Sequence, residues 1–345
     1  MPPGRLATGG RIDRDRPVRF FWNGRPMTGC AGDTLASALL ANGVSITARS
    51  FKYHRPRGIV GAGVEEPATL VTLERQDASA NCPATLVPLT EGLRARAVNC
   101  WPSPGFDMGG VAQVAARLIP AGFYYKTFMW PDWHLFEPAI RKAAGLAPAP
   151  ASPPAEGHFE NRFAHCDLLI VGAGPAGLMA ALVAGRAGLR VILADEGAEA
   201  GGNLLGRRLH IGGACALDWV AATVSELAAL PNEHGYLMVQ ERAPAHPSLI
   251  ERNWRVRAGR TLIAAGAIER ALVFPGNDRP GAMLAGAAQA YVNRWGVRPG
   301  ARAVVFTNND SAYAAAADLA AAGVEVAGIV DARGHVAAAA RALVP

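Results

Sequence analysis

Cysteine, aromatic residues and charge are all scarce in this chain. Five cysteines, Cys30, Cys82, Cys100, Cys166 and Cys215, are spread through 345 residues. Their number is odd and no Cys-x-x-Cys occurs, so neither a disulfide framework nor a zinc site is signalled, and a reducing cytoplasm fits best. Charged residues make up only 18% against 50% apolar, which excludes global disorder. The net charge of +6 is only moderately basic and has one dense basic stretch, residues 49–57, so no nucleic acid is expected. The histidines, among them His54, His134, His165, His210 and His234, lack metal-ligand spacing, and no hydrolytic constellation emerges. A signal peptide is missing as well: Arg5, Arg11, Asp13, Arg14, Asp15 and Arg16 occupy the amino terminus. The one long uncharged run, 168–185, contains Gly172, Gly174, Pro175 and Gly177, and divides into a short strand and a helix rather than a membrane span.

What is abundant is alanine, glycine and proline, which suits an α/β protein with small residues at helix–sheet contacts. The length predicts two or three domains. In the first, residues 1–100, a strand over 18–22 ends at Asn23-Gly24, a hairpin signal. Asp33 is expected to cap a helix over 34–41, closed by Asn42-Gly43, and 70–74 and 84–89 read as further strands. Residues 101–157 form an aromatic-rich connection ending in a Pro/Ala linker, 147–157. The aromatics, including Trp101, Trp130, Trp133 and Phe136, require a partner surface, on the next domain or on another chain. From residue 158 onward the pattern is β-α-β: strand 168–171, helix 176–187, strand 190–194. It repeats as strand 303–306, helix 311–321 and strand 324–330, which suggests two nucleotide-fold halves in one region, 158–345.

The first unit carries Gly172-Ala173-Gly174-Pro175-Ala176-Gly177 between strand and helix. Gly172 permits the tight turn, Gly174 lets the backbone approach a pyrophosphate, and Gly177 allows close helix–strand packing. The helix amino terminus offers free N–H groups and a partial positive charge to phosphates. Asp195, at the end of the second strand, is placed to accept hydrogen bonds from an adenosine ribose; Glu196 beside it is the alternative. Gly201-Gly202 follows as a second glycine pair, and residues 261–267 read as a strand running into Ala265-Gly266. These twelve residues form the candidate cofactor-binding set, with no catalytic residue and no metal ligand assigned. The second unit has Thr307-Asn308-Asn309-Asp310-Ser311-Ala312 where a glycine loop would stand. Its side chains obstruct close approach and Asp310 would repel a phosphate, so a structural half is favoured there. Cys82 and Cys100 are read as small buried side chains rather than redox groups. The basic stretch at Arg49, Lys52, His54, Arg55 and Arg57 faces an anionic cofactor, an acidic partner or solvent.

Longer strings carry a resemblance: Asp13-Arg14, then GDTLASALLANGV (32–44), RSFKYHRPRG (49–58), AGFYYKTF (121–128), AGAIER (265–270) and FPGNDRPG (274–281). In this order they resemble the alpha subunit of heterotetrameric sarcosine oxidase. The resemblance implies an α/β fold: a Rossmann-type two-dinucleotide-binding (FAD/NAD(P)-binding) domain, preceded by a small α+β domain like a 2Fe–2S ferredoxin. It implies a complex that oxidises sarcosine to glycine, yielding hydrogen peroxide and formaldehyde or methylene-tetrahydrofolate. Its partners would be a flavin-bearing beta subunit, with FMN at the interface, and smaller subunits. The alpha chain's own cofactor would be a tightly held NAD, with FAD as the alternative. Cluster cysteines of the ferredoxin-type module would fall near Gly61, Glu66, Thr69 and Thr85. None is cysteine, and Cys82 cannot hold a cluster alone, so the domain is expected to lack the cluster. Family members continue well beyond the position of Pro345 into a folate-binding domain, and the link over 230–235 looks shortened, so the nucleotide domain is expected to be truncated. Two other readings stand beside this one: a freestanding FAD- or NAD-dependent oxidoreductase, and an inactive remnant.

Overall fold

The computed structural model describes residues 2–51, 53–74, 80–113, 128–144, 158–197, 199–230, 237–238 and 249–343. The chain forms two compact units: Met1–Pro153 together with Glu269–Pro345, and Pro154–Ile268. The Pro/Ala linker and the 230–235 link lie outside the described residues, apart from Leu230.

In the first unit, β1 (Asp13–Trp22) and β2 (Arg25–Ala31) form the hairpin the Asn-Gly pair signals. Asn23 and Gly24 both have positive φ, +48° and +76°, as a turn matching the strand twist requires. Helix α1 (Leu35–Ala41) follows, but its cap is Thr34, not Asp33. The Thr34 hydroxyl accepts from Ser37 N while Ser37 Oγ accepts from Thr34 N, a reciprocal capping box. Asp33 is drawn instead into a buried pair with Arg5 at 2.5 Å, and it also accepts from the Ser37 hydroxyl. Strand β3 (Leu70–Leu73) is present, whereas the strand expected over 84–89 is not. That segment begins as a 3-10 turn after β4 (Cys82–Pro83), and the extra ladder comes from β5 (Leu93–Ala97), whose alternation of buried and exposed residues is that of a half-buried strand. The sheet order is β2-β1-β5-β3-β4, with β1 and β5 parallel and the other pairs antiparallel. Helix α2 (Trp133–Ala144) lies further along this unit.

The second unit is a four-stranded parallel sheet. It comprises β6 (His158–Val171), helix α3 (Pro175–Arg186), β7 (Val191–Ala194), helix α4 (Ala216–Ala229), β8 (Leu237–Met238) and β9 (Leu249–Ile263). The order is β8-β7-β6-β9. Ile170, Leu178, Ala181, Leu193, Leu204 and Val220 form its core. Truncating such a side chain, for example Leu178→Ala, costs about 2–5 kcal/mol.

The remainder returns to the first unit: helix α5 (Ala285–Trp295), β10 (Arg302–Thr307), helix α6 (Ser311–Ala321), β11 (Glu325–Asp331) and helix α7 (Ala338–Arg341). The repeat of the β-α-β pattern is real, since β10 and β11 pair in parallel around α6. It does not extend the first sheet: β10 and β11 form a separate two-stranded sheet. Helix α5, not foreseen from the sequence, precedes them and packs on the amino-terminal sheet. Leu284, Tyr291, Trp295 and Val297 join the core of the amino-terminal sheet with Phe20, Leu35, Leu39 and Val71. Arg5 Nη1 donates to Trp295 O, and Leu6 N to Gly296 O, fastening the amino-terminal segment to the end of α5.

Candidate functional site

The carboxyl ends of β6, β7 and β9 meet at one edge of the parallel sheet. Gly172 N donates to Ala194 O and Ala264 N to Val171 O, both at 2.7 Å, so three strand tips are laced side by side. All twelve candidate residues lie on the loops leaving these tips or on the first turn of α3.

The glycines are there for measurable reasons. Gly172 has φ +108°, and a Cβ on it would stand 2.3 Å from Ala264 O. On Gly177 a Cβ would stand 1.8 Å from Gly172 O, so the helix can lie this close to the turn only without a side chain. Gly201 N donates to Ala173 O, and a Cβ on Gly202 would meet Gly174 Cα at 3.0 Å. The second glycine pair therefore packs behind the first loop. Gly174 is different: nothing lies within 4 Å of the position a Cβ would take. It is the cap of α3, with Pro175 following and no side-chain hydrogen bond to the first turn. Open space in front of uncapped helix amides is what an anion needs.

Asp195 serves the glycine loop itself. One carboxylate oxygen accepts from Ala173 N at 2.5 Å, the other from Gly197 N at 2.6 Å. It braces the glycine loop from the neighbouring strand, while Glu196 beside it is exposed. Ala265 and Gly266 leave the tip of β9, with Gly266 at φ +69° and open space around it. Ala264, absent from the sequence-derived set, supplies the carbonyl against which Gly172 packs; only the pairing of β9 with β6 reveals it.

The other flagged groups have plain partners. Arg55 and Arg57 both pair with Asp278, and Arg49 donates to Pro104 O. His54 Nδ1 lies 2.7 Å from Asp107 Oδ2, while Asp107 Oδ1 accepts from Trp101 N and Gly109 N, so the pair ties a loop together. Burial pushes the Cys100 thiol up to about 11, so it stays protonated and unreactive. Glu269 was also missed: it accepts from Ala285 N and Gly286 N and caps α5 from sixteen residues upstream. Among the described residues no group of three or more His, Cys, Asp or Glu side chains is placed to hold a metal, and no helix is long and apolar enough to cross a membrane.

Residues 167–226, which span the glycine loop, match the family of FAD dependent oxidoreductases. Residues 15–100 match the 2Fe-2S iron-sulfur cluster binding domain family. The sarcosine oxidase subunit alpha of Rhizobium meliloti (strain 1021) is 51% identical over 96% of the chain. Nearly the whole chain is related to the sarcosine oxidase alpha subunit. The corresponding subunit of Corynebacterium sp. (strain P-1) is 38% identical over 98%. The chain spans only about a third of these alpha subunits, 36% and 33% of their lengths. Among solved structures, L-proline dehydrogenase from P. horikoshii shares the fold, with a TM-score of 0.60 over 96% of this chain and 56% of that one, at 19% identity. The amino-terminal domain, residues 15–100, is thus ferredoxin-like, and the glycine-loop unit has the fold of a flavin-dependent oxidoreductase.

Proposed function

We propose that this chain is the nucleotide-binding scaffold of an amine-oxidising complex of sarcosine oxidase type. In this reading the complex converts sarcosine to glycine, with hydrogen peroxide and formaldehyde or methylene-tetrahydrofolate as the other products. A beta subunit oxidises the amine, with FMN at its interface with this chain, and smaller subunits complete the assembly in the cytoplasm. The 158–268 stretch acts as a Rossmann-type dinucleotide domain, and residues 1–100 act as a cluster-free ferredoxin-like scaffold.

The observation that carries the nucleotide assignment is the open, uncapped start of α3 at Gly174, enclosed by glycines that tolerate no Cβ. The pyrophosphate of NAD would lie against Gly174, Ala176 and Gly177, with Gly172, Ala173, Pro175, Gly201 and Gly202 shaping the turn. Because both oxygens of Asp195 serve the loop, the ribose contact falls to Glu196. Ala265 and Gly266 border the same edge. Bound NAD would supply a fixed structural ligand, whereas FAD would supply a hydride acceptor. FAD is the second reading, favoured by the match of residues 167–226 to FAD dependent oxidoreductases. The partner surface is proposed at Trp101, Phe106, Met108, Met129 and Trp130, all more than half exposed, since an apolar group of this size calls for a cover.

The test is to purify the chain, denature it, and identify what is released by absorbance and mass. NAD without flavin is the expected result. Release of FAD instead would bring forward the freestanding oxidoreductase, and an empty protein would bring forward the remnant.

A further inference from the structure

The loop over 60–69, remote in sequence from the nucleotide turn, is built around one carboxylate. Glu66 is only 4% exposed. Its Oε2 accepts from Val60 N at 2.8 Å and Gly61 N at 2.7 Å; its Oε1 accepts from Ala68 N and Thr69 N, both at 2.8 Å. Four backbone donors converging on one point make a concavity for an anion, the arrangement that holds phosphates and iron–sulfur clusters alike. Gly61, Glu66, Thr69 and Thr85 also have the spacing of a Cys-x4-Cys-x2-Cys…Cys cluster set, inside the segment that matches a 2Fe-2S binding family.

The residues at these positions do not fit a cluster. None offers a thiolate. Glu65 Oε1 crowds Gly61, 2.8 Å from where a Cβ would stand, and it accepts from Ala62 N and Gly63 N. Thr69 is fully buried with its hydroxyl 2.7 Å from that of Thr47, and the Thr85 hydroxyl donates to Gly63 O at 2.7 Å. Outside the loop, the buried Tyr291 hydroxyl donates to Gly61 O and Leu284 N donates to Val60 O, so α5 rests on the loop in its present shape.

We propose that the Glu66 carboxylate is a tethered anion standing in for an iron–sulfur cluster: it satisfies the four inward amides, keeps the loop folded without metal, and preserves the seat for α5. The domain then carries no electrons, and whatever is taken from an amine donor leaves the complex by another route. This last consequence rests on the function proposed above, whereas the role of Glu66 does not.

The decisive experiment uses the full chain. Wild type treated anaerobically with ferric iron and sulfide should retain neither after desalting, while Gly61→Cys/Glu66→Cys/Thr69→Cys/Thr85→Cys should take up roughly two irons and two sulfides per chain. Glu66→Ala should lower the melting temperature by on the order of 10 °C, and acetate, entering the vacated anion position, should restore part of that loss while leaving wild type unchanged. Glu66→Gln, which turns an amide NH2 toward two donors, should be destabilised without acetate rescue. Iron and sulfide binding by wild type would overturn the proposal, as would wild-type melting of both Glu66 variants or a Glu66→Ala loss indifferent to acetate. Should Glu66→Ala fail to fold, the wild-type and four-cysteine iron assays still decide. Nucleotide released from the same wild-type sample reports separately on the proposed scaffold function.

Discussion

The chain builds a strand–turn–helix–strand path twice and finishes the turn differently each time. In both, three residues separate strand from helix: Gly172-Ala173-Gly174 between β6 and α3, and Asn308-Asn309-Asp310 between β10 and α6. In both, an aspartate near the tip of the second strand accepts from the amide two residues on: Asp195 from Gly197 N, Asp331 from Arg333 N. The difference lies in what faces the helix start. At the first turn it is open space. At the second, Asn309 Oδ1 accepts from Ser311 N, Asp310 pairs with Arg333 at 2.7 Å, and Tyr313 stands where Gly177 does, its hydroxyl donating to Asp331. A shared backbone path therefore yields a ligand site only where side chains withdraw; where they stay, the same amides are satisfied internally.

The comparison breaks most sharply at Gly177→Ala. The added methyl has 1.8 Å to Gly172 O, so the helix must move off the turn. We expect released nucleotide to fall below a tenth of wild type, with the second unit becoming readily proteolysed. Gly174→Ala separates the two causes, because its methyl meets no protein atom but occupies the approach of an anion. It should lose nucleotide about tenfold, roughly 1.4 kcal/mol of binding, at an unchanged melting temperature; equal losses of both would mean the open space is not the binding face. Asp195→Ala leaves two loop amides without their acceptor, at about 1–3 kcal/mol each if they stay unpaired, and should lower both melting temperature and nucleotide content. Glu196→Ala should lower nucleotide affinity alone, as measured by titration of stripped protein.

At the second turn the expected effects are smaller and of another kind. The Arg333 hydrogen bonds hold Asp331 well below the ordinary carboxylate range. A depressed carboxylate contributes stability that is present above its unfolded value of about 3.9 and is lost as pH falls through its folded value. Arg333→Ala should therefore move acid unfolding of the first unit to higher pH and leave nucleotide content at neutral pH untouched. Asp310→Gly, the smallest change, should confer no nucleotide binding, since Asn309 and Tyr313 still fill the turn; a second equivalent of nucleotide by mass would contradict this.

What was legible in the sequence was written over short distances. The Asn23-Gly24 hairpin, the glycine turn and the start of α6 at Ser311 each depend on residues within a few positions, where one conformation is permitted and its rivals clash. The expected strand over 84–89 failed because an apolar run without strict alternation is compatible with a turn as well as a strand. Asp33 misled because two capping residues stand in a row, and only the distant Arg5 decides which of them faces the helix.

The sequence by itself determined the local grammar of this protein: where β-α-β units begin, which turn is bare of side chains, and that no cysteine stands at four cluster-spaced positions. Tertiary structure alone decided how those pieces are used. It assigned α5 to the amino-terminal core and the second β-α-β unit to the same compact unit, turned Asp195 into a brace for the glycine loop, and set Glu66 beneath four amides. Such contacts join residues as far apart as Gly61 and Tyr291 or Arg5 and Trp295. They are selected by burial and by the cost of leaving polar groups unpaired, which carry no period in the sequence to be read in advance.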